Sequence, residues 1–238
     1  MGDGAELLTS VTREDRRVKR DRSFRYGAVL ALALALAIFT LLAPNTGAAR
    51  TIEVLAAGAT LEATVLTSRA PRRTRRAAGA ALALAVVLAA AGSAVHAAGS
   101  VVPFAGTAVL LGATAAVIAA GVVRLILERG VGFQAVLGAI AIYVLVGLTF
   151  AFVIGAVAEG MDGSYFVQGD PAQSTRVYYS FTVLTTTGFG DYTARTRGGH
   201  ALAVLEMLLG QLYLVTVIAL LVGNLRRGRA QDGSTPRG

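Results

Sequence analysis

The chain has 238 residues, 55% of them hydrophobic, and a mean hydropathy of +0.63. That apolar share exceeds the roughly 45–50% of an ordinary soluble domain and places the chain in a membrane. With no cysteine, disulfides and thiolate metal sites are excluded, and the net charge of +8 lies beside apolar stretches instead of on the aromatic-interleaved basic stripe of a nucleic-acid binder.

Residues 1–25 form a basic polar tail with Arg13, Arg16, Arg17, Lys19, Arg20, Arg22 and Arg25. Arginine supplies all the other basic residues, which with the Ala and Gly richness points to a GC-rich prokaryotic genome. A membrane-spanning helix needs about 20 apolar residues to cross roughly 30 Å of hydrocarbon. Six segments meet that demand: 26–43, 51–67, 77–98, 104–127, 131–156 and 199–225. A short helix is expected over 177–186, and a short Arg, Gly and Ser rich tail over 228–238. The second segment is the weakest, because Glu53 and Glu62 each cost about 2.5–3.5 kcal/mol at the bilayer centre. The first segment has a competing reading as a cleaved leader ending near Ala48 and Ala49, although its apolar run exceeds the usual ~7–15 residues.

Between the last two segments runs Ser180-Phe181-Thr182-Val183-Leu184-Thr185-Thr186-Thr187-Gly188-Phe189-Gly190-Asp191. An ion that sheds its hydration shell needs replacement oxygens, and a ring of backbone carbonyls supplies them. Carbonyls line a narrow pore only in a backbone that side chains disfavour. Gly188 and Gly190 can take positive φ without a Cβ penalty.

Residues 131–227 thus resemble the outer helix, pore helix, selectivity filter and inner helix of bacterial tetrameric potassium channels. The resemblance implies an all-α membrane protein with six transmembrane helices, a re-entrant pore helix and a homotetrameric pore. It also implies passive potassium conduction, with no cofactor beyond the permeant ion. The carbonyls of Thr186, Thr187, Gly188 and Phe189, with the Thr186 hydroxyl, would form the potassium sites, and Gly190 completes the filter. Thr187 and Phe189 depart from the commonest Thr-Val-Gly-Tyr-Gly pattern. Phe189 lacks a hydroxyl for bonding to the pore helix, and Thr187 adds one that needs a partner. A poorly selective monovalent cation channel is therefore the alternative.

Asp191 matches the family's acid above the filter, and Tyr179 matches an aromatic expected to brace it; interfacial anchoring is the other reading of Tyr178 and Tyr179. Gly210 stands nineteen residues after Asp191, the spacing of the family's gating hinge, and a small residue for close helix packing explains it equally. Gln211, Leu214, Ile218 and Val222 recur at helical spacing and are expected to line a cavity below the filter, with a buried interhelical hydrogen bond as the other role for Gln211. An acid inside the membrane is a functional candidate, and Glu206 is expected to support the pore helix through Thr182 or Ser180.

An outward-facing filter puts 124–129 inside, 99–103 outside and 69–76 inside. The basic tail, and with it both termini, is then cytoplasmic if the second segment crosses. Arg50, Arg176, Arg195 and Arg197 stay outside. Residues 26–127 form a four-helix domain laid out like a voltage sensor, and 128–227 the pore domain. The fourth segment carries Arg124 alone, where sensing needs several gating charges, so little voltage dependence is expected. Glu53 is expected to snorkel at the outer interface, and Glu62 to pair with Arg69 or Arg124. At the mouth Glu159, Asp162, Asp170 and Asp191 nearly balance Arg176, Arg195 and Arg197, so electrostatic focusing is weak. His96 and His200 read as interfacial caps or as pH reporters.

A transporter subunit with four filter-like repeats in one chain would need three more repeats than this sequence has. A membrane-anchored structural protein leaves the filter unexplained. The sequence offers no phosphate loop, His-Glu metal pair or Ser-His-Asp set, so no enzymatic reading is made.

Overall fold

The computed structural model describes residues 25–44, 46–67, 101–130, 132–169 and 172–232, with isolated positions 76, 79, 80 and 83. Among them are six helices: α1 (Arg25–Leu42), α2 (Gly47–Thr67), α3 (Val101–Arg129), α4 (Phe133–Gly160), α5 (Gln173–Leu184) and α6 (Arg197–Asp232). The expected segment 77–98, with His96, and most of both tails lie outside the described residues, as do Arg69 and Asp170.

Among the described residues three helices, α3, α4 and the part of α6 from Arg197 to Leu220, are long and apolar enough to cross a membrane. Tyr26–Leu42 is apolar but shorter. α2 carries Arg50, Glu53 and Glu62. Threonines within these helices turn their hydroxyls back on the carbonyl four residues earlier, as Thr40, Thr60, Thr64, Thr107, Thr114 and Thr149 do. That bond satisfies a polar group where no water is at hand.

Helix ends follow local chemistry. α1 stops two residues before Pro44, since a proline disfavours helical backbone in the residue before it. Thr46 Oγ1 accepts the Ala49 N–H at 3.3 Å at the start of α2, and Thr196 Oγ1 accepts the Gly199 N–H at 3.1 Å at the start of α6. These are N-caps that satisfy otherwise orphaned donors. α2 and α5 each begin four residues before the expected 51 and 177, and α5 ends two residues before 186.

Only residues 130–132 separate α3 from α4, and Gly130 makes the reversal with φ +74°. The two long helices therefore pack antiparallel along their length. One hydrophobic cluster runs through α1, α2, α3 and α4 to Val177 of α5, so the expected boundary at residue 127 cuts across a shared core. A second cluster, with Ile154, Tyr165, Phe166, Tyr179, Val183 and Ala194, fills the end of the structure where α5 begins. α6 is the least covered helix and leaves Val204, Leu205, Leu208, Leu209, Leu212 and Val215 exposed.

Glu53 does not snorkel. It is buried, with Thr40 and Arg50 nearby, because its face of α2 turns toward α1. Glu62 and Arg124 are both exposed, and no ion pair joins them among the described residues.

Candidate functional site

The chain leaves α5 with its amides still bonded to the helix. Thr185 N–H donates to the Phe181 carbonyl at 3.0 Å and Thr186 N–H to that of Val183 at 2.9 Å. Thr187 and Gly188 both donate to the Thr182 carbonyl, at 2.8 and 3.1 Å. These acceptors lie in the helix's last turn, whose carbonyls lack intrahelical partners. Beyond them the backbone alternates in hand, with φ of +57° at Thr186, +51° at Gly188 and +79° at Gly190, while Thr187 and Phe189 are not in the positive region. In a strand of one hand successive carbonyls point to opposite sides, and alternation of hand brings them toward one side. Within one chain a Cβ at Gly188 or Gly190 would meet nothing within 4 Å, so there it is the conformation that calls for glycine. Thr186 has no such freedom. Left-handed backbone in a β-branched residue costs about 1–3 kcal/mol and persists only where the surroundings impose it.

Side chains pair within the same segment. Thr187 Oγ1 lies 2.8 Å from Thr185 Oγ1, which gives the extra hydroxyl its partner. Thr186 Oγ1 donates to the Thr185 carbonyl at 2.7 Å. Thr182 holds the segment through its carbonyl, while its hydroxyl donates to the Tyr179 carbonyl at 2.8 Å and not to Glu206.

Asp191 is braced by a different tyrosine from the one expected. The Tyr178 hydroxyl faces Asp191, and the Tyr178 ring stacks on Phe189 with centroids 6.2 Å apart. Tyr179 is buried instead, edge-on to Phe166 at 4.9 Å. One helical residue is a rotation of about 100°, enough to turn the neighbouring side chain from the filter side into the core.

α6 approaches α5 at two polar points. Ser180 Oγ is hydrogen-bonded to Glu206 Oε1 and lies 2.7 Å from the Gly147 carbonyl oxygen of α4. Of the two partners expected for Glu206, the structure brings Ser180. One turn on, a Cβ on Gly210 would overlap the Leu184 carbonyl oxygen and come within 2.9 Å of Leu184 Cδ1. That carbonyl also accepts the Tyr143 hydroxyl at 3.2 Å. Tyr143 stacks on Tyr213, whose hydroxyl donates to the Ala139 carbonyl at 2.6 Å. Gly210 thus sits where close packing demands glycine, inside a continuous helix. Gln211, Leu214 and Ile218 are exposed on α6; the Val222 side chain is outside those described.

The loop before α5 and the segment after Asp191 clasp each other. Phe166 bridges Ala194, Val167 N–H donates to the Thr193 carbonyl at 2.9 Å, and Arg195 N–H donates to the Tyr165 carbonyl at 2.8 Å. Gln168 Oε1 accepts the Thr193 N–H at 3.0 Å. Burial pushes the Tyr165 hydroxyl above its ordinary range. Arg176, 4% exposed, pairs with Glu159 at 3.5 Å, and both Arg50 and Arg176 stand 5.2 Å from the Phe104 ring centroid. The charges counted for the mouth are thus partly spent on this tie. His200 Nε2 lies 2.7 Å from the Ala194 carbonyl oxygen, in the same clasp. Of the clasp residues only His200, by its titration, and Arg195, by its charge, stand out in the sequence, since the clasp's bonds are mostly to backbone.

Residues 139–227 match a protein-family model described as ion channel. Over 75 residues, 30% of this chain, the sequence is 37% identical to Probable potassium channel protein 2 of Methanocaldococcus jannaschii; the match spans 19% of that protein's length. No solved structure matches. The chain therefore carries an ion channel domain, made by α4, α5, the segment after it and α6.

Proposed function

We propose that the protein is a potassium channel in which four copies surround one pore, each contributing the segment from Thr186 to Gly190. The single observation that carries this reading is the alternating backbone hand at Thr186, Gly188 and Gly190. Four such strands would offer stacked rings of carbonyl oxygens from Thr186, Thr187, Gly188 and Phe189, with the Thr186 hydroxyl below them. The C-terminal end of α5, with about half a negative charge from the helix dipole, favours a cation nearby. The exposed apolar face of α6 would be covered by neighbouring copies and lipid, leaving Gln211, Leu214, Ile218 and Val222 toward a cavity.

Gly210 would serve as the bending point of the inner helix as well as a close contact. Asp191 beside Tyr178, Thr182 through its carbonyl, and Glu206 through Ser180 would support the filter. Both termini would lie on the cytoplasmic side of a cell membrane, and Arg124 as the lone charge of segment 104–127 would give little voltage dependence.

Reversal potentials of the purified protein in bilayers, under opposed potassium and sodium gradients, test the reading. The expected value lies near the potassium equilibrium potential. A value near zero would assign a poorly selective cation channel, the reading favoured by Phe189, which stacks on Tyr178 and has no hydroxyl to tie it. No current from a monomeric protein would remove both.

A further inference from the structure

Ser180 has one hydroxyl proton and two acceptor oxygens beside it, the Gly147 carbonyl oxygen at 2.7 Å and Glu206 Oε1. A hydroxyl donates once and accepts up to twice. Were Glu206 a carboxylate, the proton would turn to it, and Ser180 Oγ would face the Gly147 oxygen lone pair to lone pair. The other carboxylate oxygen, Oε2, is buried without a hydrogen-bond partner, and a charge shared with it would go uncompensated.

Resting on the potassium-channel reading, we propose that Glu206 is kept as a neutral acid whose O–H donates to Ser180, and that this proton holds the filter in its conducting form. The relay then runs from Glu206 to Ser180 to the Gly147 carbonyl, tying α6, α5 and α4 together, and every proton has an acceptor. Oε2 becomes a neutral carbonyl oxygen, which is far less costly to bury alone than a charge. The titratable groups around Glu206 are Tyr143 from α4, Tyr165 from the outer loop and Tyr179 from α5. None is a cation, and no arginine or histidine acts on it among the described residues. Glu206 is a positioning residue. It acts through Ser180, two residues before Thr182, whose carbonyl receives the Thr187 and Gly188 amides.

Infrared difference spectra of the full-length protein in bilayers, wild type against Glu206→Gln, read the proton directly. At neutral pH the wild type is expected to show a protonated-carboxyl C=O band that the substitution removes and that Ser180→Ala shifts to higher frequency. A difference spectrum with carboxylate bands alone overturns the proposal whether or not the protein conducts, so its failure is distinct from failure of the channel reading. Potassium flux against pH reads the positioning role. Wild-type flux is expected to fall at alkaline pH, and the Glu206→Gln profile to lose that limb, because the amide still donates to Ser180. The same alkaline fall in both proteins overturns the positioning role. Failure of Glu206→Gln to assemble, where the wild type does, overturns the neutral acid, since glutamine keeps its donor.

Discussion

Gly210→Ala separates two roles for one glycine by the sign of its effect. As a flexible point alone, the residue would be improved by alanine, which favours a helix by about 1 kcal/mol over glycine. The structure places the new Cβ against the Leu184 carbonyl oxygen and within 2.9 Å of Leu184 Cδ1 and 3.1 Å of the Leu184 carbonyl carbon. A leucine side chain can swing aside, but a backbone carbonyl at the end of α5 cannot. Overpacking of that kind costs about 1–3 kcal/mol, and displacing the carbonyl threatens its bond from Tyr143, a further ~0.5–1.5 kcal/mol. Against the helix gain, the net is a loss of about 1–3 kcal/mol. Thermal unfolding of the detergent-solubilised protein measures it, with a midpoint lowered by about 2–4 °C for each kcal/mol lost in a chain of this size. A midpoint equal to or above the wild type would refute the packing argument and leave flexibility as the reason for the glycine.

Other substitutions test the remaining contacts. Gly188→Ala and Gly190→Ala meet no atoms, so each carries only the left-handed backbone penalty of about 1–2 kcal/mol; potassium flux should be lost while helix content by circular dichroism stays unchanged. Tyr178→Phe removes the hydroxyl that faces Asp191 and should alter the reversal potential or the persistence of current, whereas Tyr179→Phe should be silent in both, because Tyr179 contributes its ring to the Phe166 cluster. Gly147→Ala brings a Cβ to 2.8 Å from the Phe181 ring; a thermal midpoint lowered by the equivalent of about 1–3 kcal/mol is expected, with recovery in the double variant Gly147→Ala, Phe181→Leu.

Local chemistry made much of this chain legible from sequence. The apolar runs of α1, α3, α4 and α6 fix helices because a backbone in hydrocarbon must satisfy its own hydrogen bonds, and their bounds fall within a few residues of those expected, apart from the inner end of α6. The two filter glycines announce positive φ, since few other residues take it freely. Thr186 gives no such signal, and its φ of +57° is imposed by amides held on the end of α5. Which tyrosine meets Asp191 depends on how α5 is rotated in its packing, and one residue of rotation exchanged Tyr179 for Tyr178. Glu53 likewise became buried because α2 turns that face to Thr40. The shared core of α1 to α5, the Gly210 contact and the clasp around Phe166 and Ala194 join residues far apart in sequence. Sequence determined which segments are helices and where the backbone needs glycine; tertiary packing decided which side of each helix meets which neighbour, because rotation about a helix axis is set by contacts and not by local propensity.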